Sequence, residues 1–101
     1  MGYQVSLTPS AEHDLQDIVR YISIDSPDRD VAFGQFLVSS TKRLADFPDM
    51  GRVVPEFRDP SIREIIVRSY RVVYQVDHAG RRVDIARFWR AARGIPGVGG
   101  A

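Results

Sequence analysis

Three runs of alternating β-branched and aromatic residues, each closed by a short polar turn, lie between Ile62 and Arg93 of this 101-residue chain. Ile62–Val67 gives way to Tyr70–Val76 across Arg68-Ser69, and Asp77-His78-Ala79-Gly80 leads into Arg82–Trp89. Period-two alternation rich in Val, Ile, Tyr and Trp marks half-buried strands. In the middle run Tyr70, Val72, Tyr74 and Val76 share one face, with Arg71, Val73 and Gln75 on the other. Links this short favour antiparallel neighbours, because a parallel return needs about a dozen residues or more. The spacing predicts a three-stranded antiparallel meander.

The first half supplies what must cover it. Tyr3–Leu7 alternates and reads as a short strand. Thr8-Pro9 then opens a helix, with Thr8 as the cap and proline at the first helical position. Ala11, Leu15, Ile18, Val19 and Ile22 form its apolar stripe. Glu12, Asp14 and Asp17 sit in the first half of this helix, where its dipole favours negative charge, and read as stabilising, solubilising acids. Ser26-Pro27 starts a second helix, whose apolar side (Phe33, Phe36, Leu37, Leu44, Phe47) runs to Phe47 before Pro48. Asp49–Glu56 reads as a loop punctuated by Gly51 and Pro55. The expected fold is α+β in the order β-α-α-β-β-β, with the helical hairpin 9–47 packed on a small antiparallel sheet. Leu15, Ile18, Ile22, Phe36, Leu37, Leu44, Val72, Tyr74 and Ile85 should form the core. One domain over 1–93 and a flexible, half-glycine tail over 94–101 complete the organisation.

Composition removes several classes. At 44% hydrophobic and 27% charged the chain is neither disordered nor membrane-spanning in character. There is no cysteine, hence no disulfide framework and no thiolate metal site. No basic and apolar leader opens the sequence, so a cytoplasmic setting is expected. The net charge of +1 hides a division: residues 1–50 carry four basic against eight acidic side chains, and residues 51–101 carry ten against five. A basic half suits a polyanion or an acidic protein partner.

Chemistry-bearing motifs are few. No glycine-rich phosphate loop, GxSxG or HExxH occurs, and neither a cofactor nor a metal is expected. His13 and Asp17 stand four apart on a helix without a third ligand, and His78 falls in a hairpin turn; both histidines read as surface residues. The arginines say more. Arg52, Arg63, Arg71, Arg87, Arg90 and Arg93 stand at loop and strand ends, and their planar forks suit phosphate or carboxylate. A tight turn at 68–69 would bring Arg63 and Arg71 near one sheet end. Glu56, Glu64 or Asp84 would pair with one or two of these arginines to hold the fold.

In this order, TPSAEHDLQDIVRYI, FPDMGRVVPE, IREIIVRSYRVVYQV and VDIARFWRAARGIP resemble segments of the ParE/RelE superfamily of bacterial type II toxin–antitoxin toxins. The resemblance spans roughly residues 3–96 and implies a compact toxin, of the plasmid stabilization kind, in a hetero-oligomer with a ParD-like antitoxin. Phe57 and Trp89 are its candidate antitoxin contacts. It also implies one of two activities: ParE-like members poison DNA gyrase, and RelE-like members cut mRNA on the ribosome. Many RelE-like relatives carry the pattern W-H-x-x-R near the last strand, and this chain reads Trp89-Arg90-Ala91-Ala92-Arg93. Arginine stabilises a phosphorane but is too basic to shuttle protons. Glu56 or Tyr74 would have to serve instead, and no catalytic residue is assigned. The departure favours a gyrase binder, with the six arginines as target contacts. The alternatives are a ribosome-dependent mRNA endonuclease and a degenerate toxin that binds only its antitoxin.

Overall fold

The computed structural model describes residues 2–25 and 30–97, without the side chains at 21–25, 30 and 31. Its elements are β1 (Gln4–Leu7), α1 (Pro9–Asp25), α2 (Asp30–Thr41), β2 (Arg52–Val53), β3 (Ile62–Val67), β4 (Tyr70–Asp77) and β5 (Arg82–Arg90). Single 3-10 turns follow at Lys42–Ala45 and Ala91–Arg93. This is the expected α+β order, with both helices on one face of a sheet ordered β1-β5-β4-β3-β2.

The meander forms as its alternation predicts. β3 pairs antiparallel with β4 from Ile62↔Gln75 to Val67↔Tyr70, and β4 with β5 from Tyr70↔Arg90 to Asp77↔Arg82. Two features correct the expected sheet. β1 pairs parallel with β5, from Gln4↔Arg82 to Leu7↔Ile85, so the sheet is mixed. No turn restrains that pairing, because the helices and three strands intervene. Arg52 and Val53, inside the expected loop, add a two-residue strand opposite Glu64 and Arg63.

Thr8 joins three elements. Its hydroxyl accepts the Ala11 N–H at 3.2 Å, capping α1, and donates to the Ile85 carbonyl at 2.9 Å. The expected Ser26-Pro27 cap of the second helix lies outside the described residues. α2 stops at Thr41 instead of running to Phe47, which is 65% exposed. Hydroxyls of Ser40 and Thr41 bond back to the carbonyls of Leu37 and Val38, at 2.5 and 2.7 Å, and so compete with the helical ladder. Gly34 lets the helices close up, since a Cβ there would lie 2.9 Å from the Val19 side chain.

The core joins Ala11, Ile18, Leu37 and Leu44 of the helical side to Ile65, Val67, Val72, Tyr74, Val76, Val83, Ile85 and Phe88. Six of the nine expected core residues are buried there; Leu15 is only partly covered, and Ile22 has no described side chain. Phe36 corrects the expectation at 42% exposure. It stands about 100° around the helix from Leu37, which takes the inward position. Its ring lies instead under the Arg68 guanidinium, 4.7 Å away.

A bulge re-aims the last strand. Val73 pairs with Arg87 but Tyr74 pairs with Ile85, which leaves Ala86 as an extra residue. Phe88 can therefore join Ile85 and Val83 in the core, although strict alternation from Ile85 would turn it away. Arg87 and Trp89 are set opposite Val73 and Arg71, on the face away from the helices. A small second cluster of Val54, Ile62, Val73 and Ala86 forms there, with Phe57 against it. The loop after β2 thus folds over the outer face. Gly51, just before β2, lets the chain close on the β3 edge: a Cβ would meet the Glu64 carbonyl oxygen at 2.4 Å and the Tyr74 hydroxyl at 2.6 Å.

Candidate functional site

Arg71 is the centre of the outer face. It is 7% exposed, and every described donor points at an oxygen. Nε donates to Glu64 Oε1 at 2.5 Å, while Nη1 and Nη2 grip Glu56 at 3.0 and 2.8 Å. Nη1 also reaches the Gly94 carbonyl at 3.2 Å. The Glu64 side chain is fully buried and takes a second cation, Arg52 Nε, at 2.7 Å. The paired carboxylates, Glu56 first, hold the Arg71 pKa above its ordinary value. Hydrogen bonds from Arg71 hold Glu56 below the usual carboxylate range.

That last shift has a testable sign. A depressed folded pKa adds stability that is complete above the unfolded carboxyl value of about 4.3 and is lost as pH falls through the lower folded value. Glu56→Gln should therefore flatten the acid limb of a urea-midpoint-against-pH profile below about pH 5. An acid limb unchanged by the substitution would count against the pairing.

A second ionic centre lies at the sheet edge. Beyond Leu7 the parallel partner ends, and the next outward amide, Phe88 N–H, donates to Asp14 Oδ2 at 3.1 Å. Arg87 grips the same carboxylate through Nε at 2.6 Å and Nη2 at 2.8 Å, which raises its pKa. Asp14 is 8% exposed, so it is far from the solvated acid expected on this helix. The sequence did hold a signal. Asp14 falls between Ala11 and Ile18 on the buried stripe, where a solvated acid has no place.

The six candidate arginines separate by partner. Arg71 and Arg87 are committed to carboxylates, and Arg52 shares Glu64. Arg63 donates to the Gly51 carbonyl at 2.7 Å, and its Nε lies 3.4 Å from Asp49 without hydrogen-bond geometry. Arg63 and Arg71 do not meet. The 68–69 turn is tight, but an antiparallel return puts strand starts at opposite ends: Arg63 pairs with Tyr74 and Arg71 with Ile66, on opposite faces. Arg90 and Arg93 are exposed, and among the described residues neither has a carboxylate partner. Both line a cleft of about 220 Å³ with Asp14, Asp17, Ile18, Tyr70 and Phe88.

Trp89 is 9% exposed, with the guanidinium carbons of Arg93 and Arg87 4.0 and 4.6 Å from its ring centre. Phe57 is half-buried against the second cluster. Among the exposed apolar side chains, Phe36 and Ile66 (57% exposed) flank a groove shared with Arg43 and Arg68. As expected, Glu56 and Glu64 take arginines, while among the described residues Asp84 meets Arg82, at 3.4 Å.

Both histidines are exposed and away from Arg71. His13 lies 3.4 Å from Asp17; His78 takes a 2.7 Å hydrogen bond with the Tyr3 hydroxyl and lies 3.2 Å from Asp49. The Tyr74 hydroxyl is buried, accepts the Gly51 N–H at 2.9 Å and has its pKa raised by burial. Among the described residues no cluster of His, Cys, Asp or Glu could hold a metal ion.

A family model described as the ParE toxin of the type II toxin–antitoxin system, parDE, matches residues 5–95. The chain belongs to this family. It is a type II toxin–antitoxin toxin of the ParE/RelE superfamily, and no curated protein matches it in sequence. Among solved structures it is similar to a chain of a chromosomal ParDE system from P. aeruginosa, at 21% identity and TM-score 0.74 over 87% of this chain and 95% of that one. A chain of a RelBE toxin–antitoxin complex from Mycobacterium tuberculosis matches at 22% identity and TM-score 0.61, covering 89% and 99%. A mutant of E. coli toxin RelE in the free state matches at 18% and 0.65, covering 93% and 88%. The ParE-family fold is thus shared with RelE-type chains. Among the described residues no helix of this ParE-family toxin is long and apolar enough to cross a membrane.

Proposed function

We propose that this chain is a ParE-like toxin that inhibits DNA gyrase by binding, with no bond-making of its own, and that a ParD-like antitoxin neutralises it. The observation that carries the reading is that Glu56 and Tyr74, the two side chains that would have to move protons for a nuclease, are both engaged within the fold. Arg71 is neutralised by Glu56 and Glu64. Glu56 is held ionised by that contact, which suits an acid catalyst poorly, and Tyr74 is buried on Gly51. Arg90 and Arg93 supply charge without a titrating group near neutral pH. Charge alone suffices for affinity to gyrase or the gyrase–DNA complex.

The antitoxin reading rests on two exposed features. Leu15, Val19 and Val38 leave a shallow apolar groove between the helices. On the far edge β2 covers only Arg63 and Glu64 of β3, leaving residues 65–67 with no strand beyond them among the described residues. A helix in the groove followed by a strand on that edge, beside Phe36 and Ile66, would cover both.

Purified protein should inhibit supercoiling or trap cleaved DNA with purified gyrase, and should give no codon-dependent cuts on translating ribosomes. In cells without antitoxin it should cause filamentation and a DNA-damage response rather than arrested translation. Arg90→His, which supplies a group of pKa about 6.5, should create no RNA cleavage. Ribosome-dependent cutting by the wild type, with gyrase unaffected, would promote the endonuclease alternative.

A further inference from the structure

The helix-facing side of the sheet ends in a cation. The register sets Arg90 opposite Tyr70 and Phe88 opposite Val72, so Tyr70, Phe88 and Arg90 share the face that packs on the helices. Phe88 is 2% exposed and belongs to the core, yet the next inward position of β5 carries a guanidinium in place of another apolar side chain. Between these residues and Asp17 and Ile18 of α1 lies the cleft of about 220 Å³, which Arg93 also lines. Phe33 of α2 packs on the Tyr70 ring, with 5.7 Å between centroids, and so backs that wall. An apolar cavity of about 150 Å³ holds a benzene ring. The cleft therefore has room for one six-membered ring and a small polar group. Its charge is equally informative. Asp14 is spent on Arg87 and the Phe88 N–H. Asp17 is the one other carboxylate on the wall, with the exposed His13 3.4 Å away. Arg90 and Arg93 have no carboxylate partner among the described residues. With His13 neutral, two guanidinia against one solvated carboxylate leave a surplus of one positive charge.

We propose that this cleft binds a small aromatic acid of single negative charge. The ring lies on Phe88 and Tyr70 beside Ile18, and the carboxylate takes Arg90 and Arg93. Apolar walls with a few convergent polar groups are the usual make-up of a small-molecule site, and a guanidinium fork matches a carboxylate. Each part of the wall selects. The arginines alone would accept any anion, and the aromatic floor alone any ring. Asp17 opposes a second negative charge, which disfavours a phosphate monoester. The site stands on this chain alone, so its test needs neither gyrase nor an antitoxin.

Phenylacetate titrated into the full chain should shift the amide resonances of Ile18, Tyr70 and Phe88 and saturate with a dissociation constant of about 1 mM, as a ligand of this size allows. Trp89, the single tryptophan, gives a second reading. The Arg93 guanidinium lies 4.0 Å from its ring centre, and drawing it toward the carboxylate should change the emission. Acetate and benzyl alcohol, each lacking one half of the ligand, should bind at least about tenfold more weakly. Arg90→Gln combined with Arg93→Gln should weaken phenylacetate by about tenfold, and Asp17→Asn should tighten it about threefold. All three positions are exposed, so circular dichroism should be unchanged in both variants. The Asp17→Asn gain decides the matter if the double variant loses its fold. No saturation by about 10 mM phenylacetate, or shifts that acetate reproduces at equal concentration, overturns the proposal. Affinity that neither variant alters places the acid elsewhere and overturns it too. Tighter binding of phenyl phosphate than of phenylacetate overturns the single-charge assignment in favour of a phosphate monoester.

Discussion

Arg71→Ala should lower the free energy of unfolding by about 3 kcal/mol, the lower end of the range for breaking a buried ion pair. The loss comes from what stays behind. The Glu64 side chain has no solvent exposure and would keep only Arg52, whose own side chain is 64% exposed. Glu56 would lose a bidentate grip, and the Gly94 carbonyl its donor. Arg52 and the partial exposure of Glu56 keep the expected value from the upper end. For a domain of about 100 residues this corresponds to roughly 12–24 °C in melting temperature. Glu64→Ala in the same background should recover part of the loss, because the orphaned charge is then gone. Urea unfolding of the two single variants and the double variant measures the coupling. Strictly additive losses, or a drop below about 1 kcal/mol, would mean that water reaches Glu64 and that the network is a surface one. The consequence for function is direct. Lost toxicity in Arg71→Ala would report folding before target contact, and Arg90 and Arg93 are the cleaner probes of the proposed target contact.

What could be read from the sequence follows the range of the forces involved. The meander, the Thr8 cap and the helix order rest on periodicity and turn chemistry within a few residues, and they hold. The parallel seat of β1 on β5 joins positions nearly eighty residues apart, and no local pattern encodes it. The bulge at Ala86 is equally silent. Arg82–Trp89 alternates well enough to pass as a regular strand, yet one extra residue decides that Phe88 enters the core and Trp89 faces Arg71. Of the candidate site, the sequence showed an accumulation of arginines. Which of them were spoken for was not legible, because Glu56, Glu64 and Asp14 reach their partners only through the fold. Glu64 did leave a trace as the one acid inside a β-branched run, and its neighbours across the sheet explain it. Phe36 misled for a different reason: an aromatic residue on a helix is a core signal only if that face turns inward, and Leu37 takes that place.

Asp14→Ala should cost about as much as Arg71→Ala, roughly 3 kcal/mol, though it sits on a helix and carries an acid that looks solvated in sequence. One carboxylate does three things there: it fixes both Nε and Nη2 of Arg87 and accepts the Phe88 N–H on the strand edge that β1 leaves open. Removing it strands a buried amide, which costs about 1–3 kcal/mol, and frees a guanidinium whose side chain is only 20% exposed. That remaining exposure, with the Gly97 carbonyl and the Trp89 ring still beside Arg87, holds the total near the lower end of the buried-pair range. Asp14→Asn separates the contributions. Its amide oxygen can still accept from Phe88 but brings no charge to Arg87, so its loss should be clearly smaller. Hydrogen exchange supplies the residue-level check: protection of the Phe88 amide should fall in the alanine variant and survive in the asparagine one. Equal losses in the two variants, with Phe88 protected in both, would show that the edge amide finds its acceptor elsewhere and that Asp14 acts through Arg87 alone.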